Sequence, residues 1–163
     1  MTDAMRKYEQ GGFTIVELLV TIVIVSILAS VALPMASLAT KRNKEAELRH
    51  ALREIRGALD QYKKAVDDGR IEVKAGESGY PPDLEILQRG VTDIKSAASQ
   101  KIYFLRRIPR DPFQSDDTVA AAANWGRRSY ASSAEEPKAG SDVFDVYSLS
   151  EGIGLNGIAY RDW

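Results

Sequence analysis

One stretch constrains this chain more than any other. From Phe13 to Leu33 run 21 residues, of which only Glu17 is charged. As a helix at ~1.5 Å per residue, the run is long enough to cross the hydrocarbon core of a bilayer. The polar leader MTDAMRKYEQGG precedes it and Pro34 follows it. The remainder reads as a soluble domain held by this segment, and 163 residues suffice for one membrane helix and one domain.

An ordinary secretory signal has an apolar run of about 7–15 residues with a small-residue cleavage site after it. Here the run is longer, and the small-residue junction Gly12–Phe13 precedes it. A cut there removes the leader and keeps the apolar helix, whereas an uncut chain is a plain membrane anchor. Glu17 is costly in lipid, about 2.5–3.5 kcal/mol at a helix centre. It either reaches the interface or pairs with a positive charge. Removing residues 1–12 creates one, the amino group of Phe13, about one helical turn away. Orientation is less simple. Arg6 and Lys7 are offset by Asp3 and Glu9, while Lys41, Arg42 and Lys44 follow the run. Counting basic residues weakly favours a cytoplasmic far side.

Beyond Pro34 the helical pattern resumes. Pro34 has no amide hydrogen, so the Ser30 carbonyl loses its partner and a bend or locally melted turn is predicted. Leu48, Leu52, Ile55, Leu59 and Tyr62 form one apolar stripe at helical spacing. Lys41–Glu45, Glu45–Arg49 and Asp60–Lys64 stand at i,i+4 and read as a solvated face. Gly57 weakens the helix by about 1 kcal/mol relative to alanine, which suits a site of close packing. Asp68-Gly69 is the stop signal, so the helix runs from Phe13 to Asp68, about 80 Å.

Residues 69–79 are polar and glycine-containing, a loop with a short extended piece at 71–74. Pro81 and Pro82 precede Asp83, which is placed to cap a short helix through Leu87. The apolar stretch in KIYFLRRIPRDPF ends in a proline-punctuated turn from Pro109 to Pro112. Residues 125–132 and 142–149 have strand composition, and GIAYRDW is expected to add a last short strand. Helix, loop, then antiparallel strands is an α+β plan.

Composition excludes several classes. A net charge of −1 gives no field for nucleic acid. The lack of cysteine removes disulfides, thiolate metal sites and thiol catalysis. His50 is the sole histidine and reads as a surface residue. The pairs Asp116-Asp117 and Glu135-Glu136 lie in polar loops where charge is solvated. With no nucleophile elbow, P-loop or metal-ligand motif, enzyme activity is not expected.

GGFTIVELLV resembles the class III signal of type IV pilins and type II secretion pseudopilins. The resemblance implies that a membrane aspartyl (prepilin) peptidase cuts between Gly12 and Phe13 and N-methylates Phe13. It also implies that Glu17 pairs with the Phe13 amine of a neighbouring subunit, fixing register in a filament. Pro34 matches a proline the family often carries. RRIPRDPF resembles the family's L-P-x-D-P-W/F loop. WGRRSY, DVYSLSEGIGLNG and the terminal RDW look most like the type II secretion major pseudopilins. Only residues 115–124, with their alanine run, have no recognised counterpart.

The implied fold is the pilin fold: a long N-terminal helix, membrane-spanning in its first half, packed on a small antiparallel sheet. Residues 1–12 would be the leader, 13–34 the transmembrane and filament-core half-helix, 35–68 the amphipathic half, and 69–163 the globular periplasmic region. The implied function is a structural subunit of a periplasmic pseudopilus that drives protein export. Its implied partners are copies of itself, minor pseudopilins, the inner-membrane assembly platform, the peptidase and membrane lipid, without nucleic acid. The subunit would wait in the inner membrane before entering the filament. The alternatives are a type IV pilus subunit for adhesion, motility or DNA uptake and, less favoured, a membrane-tethered binding module. Many major pseudopilins carry an aspartate-rich calcium loop after the VYSL strand. Here the loop is SEGIGLNG, with Glu151 and Asn156 its only acidic or amide side chains and Asp162 further on. A glycine-rich turn closing without metal is expected, and no cofactor; calcium held through main-chain carbonyls is the less favoured alternative.

Overall fold

The computed structural model describes residues 12–114, 116 and 118–163. The leader charges Asp3, Arg6, Lys7 and Glu9, and also Ser115 and Asp117, lie outside the described residues. The chain divides into two compact units, Met1–Lys41 and Arg42–Trp163.

Helix α1 runs from Ile15 to Asp67, close to the bounds read from the sequence. Pro34 lies inside it, and the backbone stays helical on both sides, with no melted turn. Proline removes one N–H and its φ is helical, so the turns around it keep their own bonds. In the first unit the large apolar side chains described between Phe13 and Leu28, with Met35 and Leu38, are exposed. The polar groups among them are satisfied within the helix. Thr21, Ser26 and Ser30 donate their hydroxyls to the carbonyls of Leu18, Ile22 and Ile27 at 2.7–2.8 Å. Such back-bonding leaves a surface suited to lipid or to other helices rather than water.

In the second unit the predicted stripe is the core. Leu48, Leu52, Ile55, Leu59 and Tyr62 are buried with Leu84, Leu87, Leu105, Ile108, Trp125, Val143, Val146 and Tyr160. The helix ends where Asp68-Gly69 predicts. Gly69 takes φ +66°, its N–H bonds to the Val66 carbonyl, and Arg70 N–H bonds to that of Ala65. This 6→1, 5→2 pair is a Schellman cap, in which glycine enters the left-handed region without a Cβ penalty.

Residues 71–79 form a loop with no strand. Helix α2 spans Glu85–Arg89, with Ile86 N–H donating to Asp83 Oδ1 at 2.8 Å as the sequence suggests. A small antiparallel pair follows that the sequence reading did not anticipate: β1, Val91–Thr92, against β2, Lys101–Ile102. The main hairpin joins β3, Trp125–Arg128, to β4, Asp145–Ser148, with Trp125 opposite Ser148 and Arg128 opposite Asp145. Both strands are shorter than expected. From Ser129 onward the backbone bonds elsewhere, Ser129 N–H to the Lys138 carbonyl and Tyr130 N–H to the Asp142 carboxylate. The chain end also differs from expectation. GIAYRDW forms a 3-10 turn at Tyr160–Asp162, with a single bridge between Ile153 and Ala159. Its backbone bonds run within 152–163 instead of along β4. The alanine run ends in a 3-10 turn, Ala121–Asn124, which delivers buried Ala122 and Asn124 to the start of β3.

Candidate functional site

The predicted site residues lie at the start of α1. Phe13 is 83% exposed. Among the described residues, a Cβ placed on Gly12 would meet nothing within 4 Å.

Thr14 and Glu17 form a capping box, a role the sequence reading of Glu17 missed although T-x-x-E was legible. Glu17 N–H donates to Thr14 Oγ1 at 3.2 Å, and Thr14 N–H donates to Glu17 Oε2 at 3.3 Å. The first turn closes when Leu18 N–H bonds to the Thr14 carbonyl at 3.1 Å. Two otherwise unpaired N-terminal donors are thereby satisfied. The carboxylate also lies where the positive end of the helix dipole favours negative charge. Pro34 sits about five turns further on with an exposed side chain.

α1 is long and apolar enough to cross a membrane, and none of its most apolar window is buried within the chain. An apolar surface this continuous is stable only in lipid or against other apolar surfaces. Such a segment can exchange one for the other without passing through water.

The second unit corrects two readings. Glu45, expected on the solvated face, is 4% exposed. It accepts hydrogen bonds from Leu155 N–H at 2.7 Å and from the Tyr160 hydroxyl at 3.1 Å. Its i,i+4 partner Arg49 is 4.0 Å away. An i,i+4 charge pair alone does not reveal which member turns inward to meet a distant segment. Gly57 makes no close approach either, since a Cβ there meets nothing within 4 Å. It floors a shallow groove beside Arg53, Phe104 and Arg106.

Arg56 also ties α1 to the C-terminal segment. It donates to Asp145 Oδ1 at 2.8 Å, to the Val146 carbonyl at 3.0 Å and to the backbone oxygen of Trp163 at 2.8 Å. In the proline-punctuated turn, Trp125 Nε1 donates to the Pro109 carbonyl at 2.9 Å, and buried Asp111 accepts from Phe113 N–H and the Ser148 hydroxyl. His50 is exposed, as are Asp116, Glu135 and Glu136. Asp116 Oδ1 accepts from Thr118 N–H at 2.9 Å, and Glu136 pairs with Lys138 at 3.2 Å.

Residues 8–33 match the prokaryotic N-terminal methylation motif. Over 142 residues the chain is 28% identical to the type II secretion system core protein G of Klebsiella michiganensis, a match covering 85% of this chain and 92% of that relative. No solved structure matches the chain. Motif, α+β architecture and relative bear out the resemblance: the chain carries a pilin-type N-terminal motif and is similar over most of its length to a type II secretion core protein.

Proposed function

We propose that this chain is a structural subunit of the periplasmic pseudopilus that drives protein export by a type II secretion system. One observation carries the reading. The similarity to a type II secretion core protein runs through the globular region, not just the N-terminal motif that pilus subunits share. The role is structural rather than catalytic. A prepilin peptidase cuts between Gly12 and Phe13 and methylates the new terminus. The subunit then waits in the inner membrane with its globular region in the periplasm. Assembly moves the exposed apolar half of α1 from lipid into the filament core, with the Phe13 amine of one copy meeting Glu17 of another. Minor pseudopilins and the inner-membrane platform complete the machine.

Deletion of the gene, with complementation, tests this. Exported proteins should accumulate in the periplasm of the deletion strain and return to the medium when the wild-type chain is restored. Normal export combined with loss of surface pili, twitching or DNA uptake would instead make the chain a type IV pilus subunit.

A further inference from the structure

The resemblance implies a calcium loop after β4, and the residues present do not fit one. Calcium takes six to eight oxygens, several of them from carboxylates. Glu151 points to solvent. Asp162 pairs with Arg161 at 3.6 Å, and Asn156 Oδ1 already accepts the Ile158 N–H at 3.1 Å. The carbonyls of Gly152, Gly154 and Ile158 accept N–H bonds from Tyr160, Gly157 and Gly154 at 3.0, 3.0 and 2.8 Å. Among the described residues there is no group of three or more acidic or histidine side chains placed to hold a metal.

The segment closes another way. A cation gathers oxygens, but residues 150–163 turn a backbone N–H and a phenol O–H inward, and the anchor they meet is an anion. Both donors converge on Glu45 Oε1. Around this carboxylate the ring of Tyr160 stacks on Phe113 at 4.1 Å and meets Trp163 edge-on at 5.1 Å. Arg49 lies 4.2 Å over the Trp163 ring and 4.0 Å from Glu45 Oε2. A buried carboxylate is tolerated only with such partners, and charge-assisted bonds are the strong ones.

We propose that Glu45 is the anchor that closes residues 150–163 onto α1, and that this domain reaches its full stability without calcium. The proposal concerns the folded domain and does not depend on the export role.

The test uses the full chain in detergent, as wild type, Glu45→Gln, Glu45→Ala and Tyr160→Phe, each in millimolar calcium or in chelator. Thermal unfolding and the rate of chymotrypsin cleavage at Leu155 are read. The wild type should behave identically in calcium and chelator. Glu45→Gln keeps an acceptor oxygen and should stay protected. Glu45→Ala leaves two donors unpaired and should be cut about tenfold faster in both conditions. Tyr160→Phe, which loses one donor and keeps the ring, should fall between, and it decides the matter if Glu45→Ala does not fold. A wild-type Tm raised several degrees by calcium would overturn the proposal. Cleavage of Glu45→Ala at the wild-type rate would do so too, as would wild-type behaviour of Tyr160→Phe where Glu45→Ala is unfolded.

Discussion

Thr14 and Glu17 cap one another across the first turn of α1, each side chain accepting the other's backbone N–H at 3.2–3.3 Å. Glu17 therefore has a role within its own helix besides the intersubunit pairing proposed for it, and the two roles are separable. Thr14→Ala removes half of the box, at a cost of about 1 kcal/mol, but keeps the carboxylate. It should be processed and assembled almost as wild type. Glu17→Ala should be processed and inserted but give far fewer cross-linked multimers. Equal assembly defects in both variants would assign Glu17 to capping alone.

Gly126 lies opposite Tyr147 in the main hairpin, and the ring covers it. A Cβ at Gly126 would come within 2.2 Å of the Tyr147 ring. Gly126→Ala should lower stability by about 1–3 kcal/mol through overpacking. Tyr147→Ala in the same chain should remove most of that added penalty. A urea double-mutant cycle measures the coupling.

Arg56 makes three hydrogen bonds from one planar group, to Asp145, Val146 and Trp163. Arg56→Ala should cost about 1.5–3 kcal/mol, the range for hydrogen bonds to charged groups. Lysine keeps the charge but not the fork, so Arg56→Lys should recover less than half of the loss. Chemical denaturation of the three proteins compares them directly.

Stability should fall at both ends of the pH scale, for different groups. Burial, then the hydrogen bond and charge of Glu45, push the Tyr160 phenol up to about 12. Its folded pKa is raised, so its contribution is intact below about pH 10 and is lost as pH rises toward 12. Tyr160→Phe should flatten that limb in part, since burial also raises Tyr62 and Tyr80. At Asp142, burial acts upward but is outweighed by hydrogen bonds from Ser129, Ser78 and the Tyr130 N–H, which hold the carboxyl below its ordinary value. A lowered folded pKa means stability present above about pH 4 and lost as pH falls further. Asp142→Asn should shallow the acid limb. Unfolding followed by far-UV dichroism across pH checks both.

The parts legible in the sequence are those governed by local pattern. The apolar run, the 48–62 stripe, the stop at Gly69 and the Asp83 cap each follow from spacing or backbone chemistry within a few residues. What stayed hidden depends on distant partners. Glu45 reads as a surface charge until residues 155 and 160 fold back onto it. The strands 125–132 and 142–149 read as long until Asp142 draws the backbone away from the ladder. At Pro34 the turn does not melt, because one missing N–H does not unwind a helix held by its neighbouring turns. The Thr14–Glu17 box is local and legible as T-x-x-E, and it gives Glu17 a second role that the cost of a charge in lipid does not reveal.

The central claim rests most directly on the N-terminus of the chain in its native membrane. Intact mass and N-terminal sequencing should be read from cells that carry a prepilin peptidase. Pilin-type processing predicts a chain that begins at Phe13 and carries one added methyl group on its amine. A bulky residue at position 12 should leave the leader attached. A wild-type chain that keeps residues 1–12, or one that begins beyond Pro34, would contradict it.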